Sequence, residues 1–434
     1  MDHNQKTDTS KVGKYRWIIV ILLFFATTIN YLDRQVIGLL KPTLEQTFNW
    51  SETDYGHIVM AFSAAYALGL LLFGRFIDKA GTKIGYAVSI VVWSVAAIFH
   101  AAAKSTIGFG VARAALGLGE AGNFPAAIKA VAEWFPKKER ALATGIFNSG
   151  ANIGAVVAPI MVPAILAAYG WQEAFWITGA IGFIWLIFWW IFYEIPSRQK
   201  RVTAYELEYI HSDNEPVVAD QGNSVSWAKL FRLRQTWAFI IGKLLTDPVW
   251  WFFLFWLPSY FASTFAIDLK KPSLHLVIVY SATTIGSIGG GYLSSYFIKR
   301  GWPVFKARKT AMLIFALCVV PIMAAKYATD VWVAVGLISL AAAAHQAWSA
   351  NIFTTASDMF PKRAVSSVVG IGGMAGAVGG ILFPLLVGWI LETYKSSGNI
   401  VAGYNIIFIV CGLAYVVAWV LMHLLTPKMK EIRL

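Results

Sequence analysis

Long apolar segments alternate with short polar segments along the whole of this chain of 434 residues. A helix of about 20 apolar residues, rising about 1.5 Å per residue, crosses a hydrocarbon core about 30 Å thick. The pattern therefore predicts twelve membrane-spanning helices. Their approximate bounds are 16–40, 53–76, 84–103, 108–134, 141–169, 174–193, 236–265, 274–298, 310–326, 331–359, 365–391 and 403–424.

Composition supports this prediction, since 58% of the residues are hydrophobic and only 14% are charged. These fractions, and a mean hydropathy of +0.61, lie outside the range of ordinary soluble domains. The expected fold class is an all-α integral membrane protein whose main solvent is the lipid bilayer.

The formal net charge of +13 would suit a nucleic-acid partner, but its placement indicates membrane topology instead. Basic residues concentrate in the loops after the even-numbered spans: Arg75, Lys79, Lys83, Lys137, Lys138, Arg140, Arg198, Lys200, Arg201, Lys299, Arg300, Lys306, Arg308, Lys309, Lys362 and Arg363. The opposite loops carry only Lys41, Lys104, Lys270, Lys271, Lys326 and Lys395. By the positive-inside rule, the even-numbered loops and both termini are cytoplasmic. We therefore expect a multi-pass inner-membrane protein with no nucleic-acid partner.

The longest polar interruption, residues 194–235, divides the spans six and six. The two sides are related in sequence, because residues 135–137 (FPK) recur as 360–362 (FPK), at an offset of 225 residues. The same offset matches Gly145 with Gly370, Gly154 with Gly379 and Pro159 with Pro384. This register predicts two parallel six-helix repeats.

The predicted organisation is an N-terminal half over residues 1–193, a cytoplasmic linker over 194–235 and a C-terminal half over 236–434. Proteins built from such repeats bind their substrate near the membrane midplane, between the repeats. They open to the two sides in turn when the repeats rock against each other.

The loop after the second span, residues 74–83, contains Gly74, Asp78, Lys79 and Gly81 in the spacing GxxxD(R/K)xG. This segment resembles the loop motif of the major facilitator superfamily. Gly74 would allow close helix approach, and Asp78 can meet the N-terminus of a neighbouring helix. The resemblance implies the twelve-helix major facilitator fold.

Four charges fall inside the spans of the first half: Asp33 and Arg34 in span one, and Arg113 and Glu120 in span four. Charged residues within membrane spans are costly and usually line a cavity, pair with each other and serve function. Arginines suit an anionic substrate, because a guanidinium grips a carboxylate with two hydrogen bonds. The two acids can carry protons, since burial favours a neutral carboxyl group and a nearby arginine favours a charged one. The alternative is structural ion pairing that fixes helix register.

Other polar side chains in the first half extend the predicted binding surface or satisfy helix contacts. They are Tyr31, Tyr66, Asn148 and Asn152.

The second half has fewer charges and more aromatic residues. Lys243 and Asp247 lie one turn apart, where side chains can form an ion pair, serving either substrate binding or helix structure. Trp250, Trp251 and Trp256 offer faces for a sugar ring, although interface anchoring explains many tryptophans equally well. Span ten adds further candidate binding residues: His345, Gln346, Trp348 and Ser349. A histidine there either bonds a substrate hydroxyl, titrates, or packs.

Several segments together resemble the anion:cation symporter family, most closely its hexuronate transporters. They are residues 30–34 (NYLDR), 117–126 (GLGEAGNFPA), 134–136 (WFP), 147–154 (FNSGANIG) and 246–251 (TDPVWW). The resemblance implies proton-coupled uptake of glucuronate, galacturonate or a related organic anion.

The resemblance also implies roles for individual residues. Arg34 and Arg113 would bind the substrate carboxylate, while Asp33 and Glu120 would couple transport to protons. Tyr66 would match the tyrosine on the second helix of the family's galactonate transporters. Their fifth-helix glutamine is replaced by Ala151 here, so another contact to the sugar, from Asn148 or Asn152, would be needed.

Other classes of function fit less well. We find no metal-ligand spacing, phosphate-binding loop or nucleophile elbow, so neither an enzyme nor a cofactor is expected. Gly117, Gly119 and Gly122 form a GxGxxG string, but it lies in an apolar helix and predicts close packing. A transporter for galactonate, glucarate or an unrelated carboxylate, and a receptor without transport, remain the alternatives. The expected partners are a sugar acid anion, protons and lipid, with the chain acting as a monomer.

Overall fold

The computed structural model describes residues 13–50, 52–213, 225–267 and 274–432, and over these residues the chain contains helices and no strand. The helices of the first half and linker are α1 Tyr15–Phe48, α2 Glu52–Ala80, α3 Thr82–Phe99, α4 Thr106–Glu120, α5 Asn123–Trp134, α6 Lys137–Ala168, α7 Trp171–Phe192, α8 Ala204–Ile210 and α9 Trp227–Phe231. Those of the second half are α10 Arg234–Phe255, α11 Leu257–Phe265, α12 Leu274–Lys299, α13 Val304–Val319, α14 Val331–Met359, α15 Lys362–Ser396 and α16 Ile400–Leu425. Lys270 and Lys271 of one predicted loop, and residues 214–224 of the predicted linker, lie outside the described residues.

Eleven helices of the described chain are long and apolar enough to cross a membrane. The fourth predicted span, residues 108–134, is not one helix but two, α4 and α5, separated at Ala121 and Gly122. Pro125 explains the break, because a proline lacks the N–H and clashes with the carbonyl four residues earlier, here that of Ala121. The matching helix α14 has Ala350 at the equivalent position and is continuous. The pair α4 and α5 completes the twelve-span architecture.

The two predicted repeats pack alike. In the first half α1 packs against α6 and α2 against α4; in the second, α10 packs against α15 and α12 against α14. The halves meet along two further seams, α2 with α15 and α6 with α12. Glycine permits the second seam, since a Cβ at Gly145 would lie 2.2 Å from the carbonyl oxygen of Ser287. The residue boundaries proposed for the halves and linker remain a prediction.

Polar contacts tie the halves together at the end of the bundle where α1 begins and α16 ends, which we call the terminal end. The Asp78 carboxylate accepts hydrogen bonds from the backbone N–H groups of Ser366 (3.2 Å) and Ser367 (2.7 Å), near the start of α15. Lys129 lies 3.6 Å from the same carboxylate. Arg140 donates to the carbonyl oxygen of Ser357 at 2.7 Å. These contacts close the terminal end below the site described next.

The linker helix α8 is also held at the terminal end. Arg16 lies 2.9 Å from Glu139 and 3.2 Å from Glu206 of α8. The Tyr209 hydroxyl donates to Glu139 at 2.8 Å. Burial and the neighbouring Glu139 carboxylate raise the pKa of Tyr209 above its ordinary value, so this hydroxyl remains a hydrogen-bond donor.

Candidate functional site

A cavity of about 100 Å³ lies between the two halves. Seven of the ten residues predicted to bind substrate line it: Tyr31, Arg34, Tyr66, Asn148, His345, Gln346 and Ser349. Lys243 and Asp247 line it as well. Residues from both repeats therefore face one shared space.

An arginine paired with a glutamate dominates the wall contributed by the first half. Arg34 of α1 donates through Nε to Glu120 Oε2 of α4 at 2.9 Å. The guanidinium lies over the rings of Tyr31, Phe62 and Tyr66, at 4.7, 5.1 and 4.8 Å from their centroids. Cation–π attraction and the ion pair hold this cation at the cavity wall although it is largely out of water.

Of the four charges of the first half, only Arg34 lines the cavity; Glu120, Arg113 and Asp33 lie behind the wall, outside the cavity lining. Arg113 donates to the carbonyl oxygen of Arg34 at 2.8 Å, and its guanidinium lies 4.6 Å from the Phe62 ring centroid. Asp33 is buried, with Thr178 and Arg113 near it. Arg113 and Asp33 therefore lie around the ion pair of Arg34 and Glu120 and do not touch the cavity in this conformation.

The second half contributes an ion pair of its own. Lys243 Nζ and Asp247 Oδ2, one turn apart on α10, lie 2.7 Å from each other. The ammonium group also lies 4.0 Å from the ring centroid of Phe353. The backbone of α15 approaches closely at Gly376, where an added Cβ would lie 2.2 Å from Asp247 Oδ2. The helix α10 contains Pro248 and continues as far as Phe255.

An aromatic cluster surrounds His345. Its Nδ1 lies 2.5 Å from the hydroxyl oxygen of Tyr415, and that hydroxyl donates to the carbonyl oxygen of Thr246 at 3.2 Å. Trp250 stacks on the imidazole with ring centroids 5.2 Å apart.

Amide side chains link the halves at the cavity. Asn148 of α6 donates to Gln346 Oε1 of α14 at 2.8 Å and to Ser287 Oγ of α12 at 3.1 Å. Ser287 in turn donates to the carbonyl oxygen of Gly145 at 2.9 Å. These bonds would have to break for the halves to separate here.

The remaining predicted residues lie elsewhere. Asn152 is buried on α6 outside the cavity lining, and Trp348 is fully buried with its ring edge-on to Tyr415 at 5.5 Å. The loop-motif residues Gly74, Asp78, Lys79 and Gly81 lie at the terminal end, away from the cavity. The binding roles predicted for Asn152 and Trp348 stay predictions.

Three phenylalanines at the site were missed in the sequence. Phe62 lies under both guanidinium groups, and Phe124 stacks on Phe353 across the two halves with centroids 5.2 Å apart. Phenylalanine is common throughout membrane spans, so composition gives no signal for these positions. The only available indication was that Phe124 lies four residues after Glu120, on the same side of the single helix that the sequence predicts there.

Electrically the site is balanced. Arg34 and Glu120 cancel in one half, and Lys243 and Asp247 cancel in the other. An anion that enters must compete with one of these acids for its cation, because an additional buried charge without a partner is costly. The arrangement can therefore exchange an internal carboxylate for a substrate carboxylate.

The fold and this central site define a membrane transport protein. A family model described as Major Facilitator Superfamily matches residues 23–384, and the chain belongs to this superfamily. It is a transporter and not an enzyme, and it is a multi-pass membrane protein.

Individual relatives refine the comparison. The chain is 35% identical over 390 residues to the hexuronate transporter of Escherichia coli K12, covering 89% of this chain and 90% of that protein. It is 36% identical over 290 residues to the galacturonate transporter of Dickeya chrysanthemi, covering 67% of this chain and 84% of that protein. Among solved structures, a variant of the E. coli fucose:proton symporter FucP matches with a TM-score of 0.72 at 16% identity, covering 95% of this chain and 100% of that one. The last comparison shows the shared fold alone.

Proposed function

We propose that this protein is a proton-coupled symporter that imports hexuronates such as glucuronate and galacturonate. The observation that carries the proposal is the ion pair between Arg34, which lines the shared cavity, and Glu120, which is buried behind it. It supplies a cation for the substrate carboxylate and an acid that can hold a proton. The identity of 35% to a hexuronate transporter over most of both chains supports the choice of substrate.

Substrate binding begins with Arg34. A uronate carboxylate that approaches through the cavity replaces Glu120 as the partner of the guanidinium, with two parallel hydrogen bonds. Arg113 lies behind Arg34 and adds positive potential without entering the cavity. Asn148, Gln346 and Ser349 line the same space and supply hydrogen bonds to sugar hydroxyls.

Proton binding follows from the same exchange. When the substrate takes Arg34, Glu120 remains buried without its cation, which favours the neutral, protonated carboxyl group. Asp33, buried near Arg113, is the second proton-binding site. A site with a bound anion and with Glu120 alone protonated is again neutral, and its charge no longer opposes closure.

The halves then rock about the occupied cavity. The terminal end, closed here by Asp78 and Arg140, opens to release the substrate, and each acid loses its proton as it pairs with arginine again. We assign this end to the cytoplasm of a bacterial cell, because basic loops concentrate there. The protein acts as a monomer in the inner membrane, since one chain contributes both halves of the site.

Two other functions compete with this one. A symporter for galactonate, glucarate or an unrelated carboxylate would use the same arginine and acids with a different selectivity. A receptor without transport would bind hexuronate but move none of it. Transport of a labelled sugar acid into sealed vesicles distinguishes a symporter from a receptor without transport.

The test is uptake of labelled glucuronate into proteoliposomes with and without an inward proton gradient. Unlabelled galacturonate, galactonate and benzoate serve as competitors. The proposal predicts that the gradient raises uptake and that galacturonate competes best. Competition by galactonate or benzoate alone would indicate that the substrate is another carboxylate. Uptake that does not depend on the gradient would contradict proton coupling.

A further inference from the structure

The two halves place different chemistry at equivalent positions of the cavity. A Cβ added to Gly154 would lie 2.5 Å from the carbonyl oxygen of Thr28, and a Cβ added to Gly379 would lie 2.7 Å from that of Leu244. Gly154 and Gly379 are matched in the sequence repeat. Thr28 of α1 and Leu244 of α10 therefore occupy equivalent positions.

Six residues further along each helix are Arg34 and Trp250, and the repeat also matches Glu120 with His345. In the first half, Arg34 and Glu120 form an ion pair at 2.9 Å. In the second half, Trp250 and His345 stack with an interplanar angle of 2°. An ion pair in one half is thus replaced by an aromatic stack in the other.

This aromatic stack is fixed in position. Tyr415 holds the imidazole of His345 through Nδ1 and is itself bonded to the backbone of α10 at Thr246. Trp250 and His345 both line the cavity, and Trp250 is only half-buried. The indole is backed on one side by a fixed imidazole, and its exposed part faces the cavity.

We propose that Trp250 is the platform for the closed pyranose ring of the substrate, so that the site takes cyclic uronates in preference to open-chain sugar acids. This inference rests on the proposed function and adds the ring form to it. Arg34 binds the carboxylate at one wall, and the aromatic stack packs against the ring at the opposite wall.

The chemistry of the two substrate classes explains the preference. A pyranose ring has a rigid face of C–H groups, which buries apolar area against an indole. An aldonate or aldarate has an open chain with hydroxyl groups on both sides, so no such face exists. Its rotatable bonds must also be ordered on binding, which costs entropy that the closed ring does not lose.

The probe pair is glucuronate and L-gulonate, which is glucuronate reduced at C1 so that the pyranose ring cannot close. Both keep the same carboxylate for Arg34. Their inhibition of labelled glucuronate uptake is measured in proteoliposomes for the unaltered protein, Trp250→Leu and Trp250→Phe. Trp389→Leu is the matched control, because Trp389 is 68% exposed on α15, outside the cavity.

Glucuronate should inhibit uptake by the unaltered protein more strongly than L-gulonate does. In Trp250→Leu, inhibition by glucuronate should be about tenfold weaker, while inhibition by L-gulonate should be unchanged. Trp250→Phe keeps an aromatic face, so its inhibition by glucuronate should lie between that of the unaltered protein and that of Trp250→Leu. Trp389→Leu should match the unaltered protein. Equal weakening of both ligands in the Trp250 variants, or no ring preference in the unaltered protein, would overturn the inference. Absence of uptake of any sugar acid by the unaltered protein would instead overturn the proposed function.

Discussion

Arg34 and Glu120 are joined through a single carboxylate oxygen, since Nε and Nη2 of the arginine each lie 2.9 Å from Glu120 Oε2. Glu120 Oε1 accepts no hydrogen bond within the described parts of the chain. A full arginine–carboxylate pair uses both oxygens in parallel bonds. A substrate carboxylate that offers both of its oxygens can therefore bind Arg34 more strongly than Glu120 does.

The first prediction concerns this geometry. Arg34→Lys keeps the positive charge but loses the two parallel donors and the planar contact with the rings of Tyr31 and Tyr66. Loss of one charge-assisted hydrogen bond corresponds to about tenfold to hundredfold weaker binding. Concentration dependence of glucuronate uptake measures the effect. Arg300→Lys is the control, because Arg300 lies near the terminal end and away from the cavity, and it should not change the affinity for glucuronate. An Arg34→Lys variant with unaltered affinity would contradict the account.

The second prediction separates binding from coupling. Glu120→Gln imitates the protonated acid permanently, so exchange of labelled for unlabelled glucuronate should continue while accumulation driven by a proton gradient is lost. Counterflow and gradient-driven uptake are measured on the same vesicles. Asp33→Asn provides the comparison, because it tests whether the acid behind the wall serves the same role. Retention of gradient-driven accumulation in both variants would refute their proposed role in coupling.

The third prediction tests the second ion pair without altering any charge. Gly376→Ala would place a Cβ 2.2 Å from Asp247 Oδ2, which forces the carboxylate away from its position beside Lys243. We expect about tenfold weaker glucuronate binding if this pair orients sugar hydroxyls, on the scale of one lost hydrogen bond to a charged group. Gly388→Ala is the control, because it lies on the same helix with nothing within 4 Å of the added Cβ. Unaltered binding in both variants would leave the pair a structural role only.

The fourth prediction concerns closure of the terminal end. Asp78→Asn removes the charge that accepts hydrogen bonds from Ser366 and Ser367 and that neutralises buried Lys129. The cost should be about 1–3 kcal/mol for the state closed at this end. A lower melting temperature of the purified protein would report it, and Glu208→Gln, at an exposed residue of α8, should leave the temperature unchanged. If Asp78→Asn had the same melting temperature as Glu208→Gln and the unaltered protein, the role given to Asp78 would be contradicted.

The fold could largely be predicted from the sequence, because membrane spans carry a strong signal of length and hydropathy. The break between α4 and α5 was missed, since apolar composition continues across Ala121 and Gly122 and only Pro125 marks the interruption. The close packing expected of the GxGxxG string is confirmed: Cβ atoms added at Gly117 and Gly119 would lie 2.5 and 2.6 Å from backbone atoms of neighbouring helices.

The site was predicted in part. Arg34 and Glu120 stand out in the sequence because charge is rare in the spans, and the structure brings them together. Sequence spacing on α10 likewise anticipated the contact between Lys243 and Asp247. The sequence could not show that Arg113 lies behind the cavity wall, because the direction of this side chain depends on the rotation of its helix. Contacts between halves, such as Phe124 with Phe353, depend on tertiary packing that no local pattern encodes.

The central claim is that a substrate carboxylate replaces Glu120 at Arg34 and that Glu120 then takes up a proton. Proton uptake by the purified protein on addition of glucuronate, followed with a pH-sensitive dye in weakly buffered detergent solution, tests this exchange most directly. The account predicts proton uptake that saturates with glucuronate binding and is diminished in a Glu120→Gln variant that still binds. Binding with no proton uptake, or undiminished proton uptake in Glu120→Gln, would contradict it.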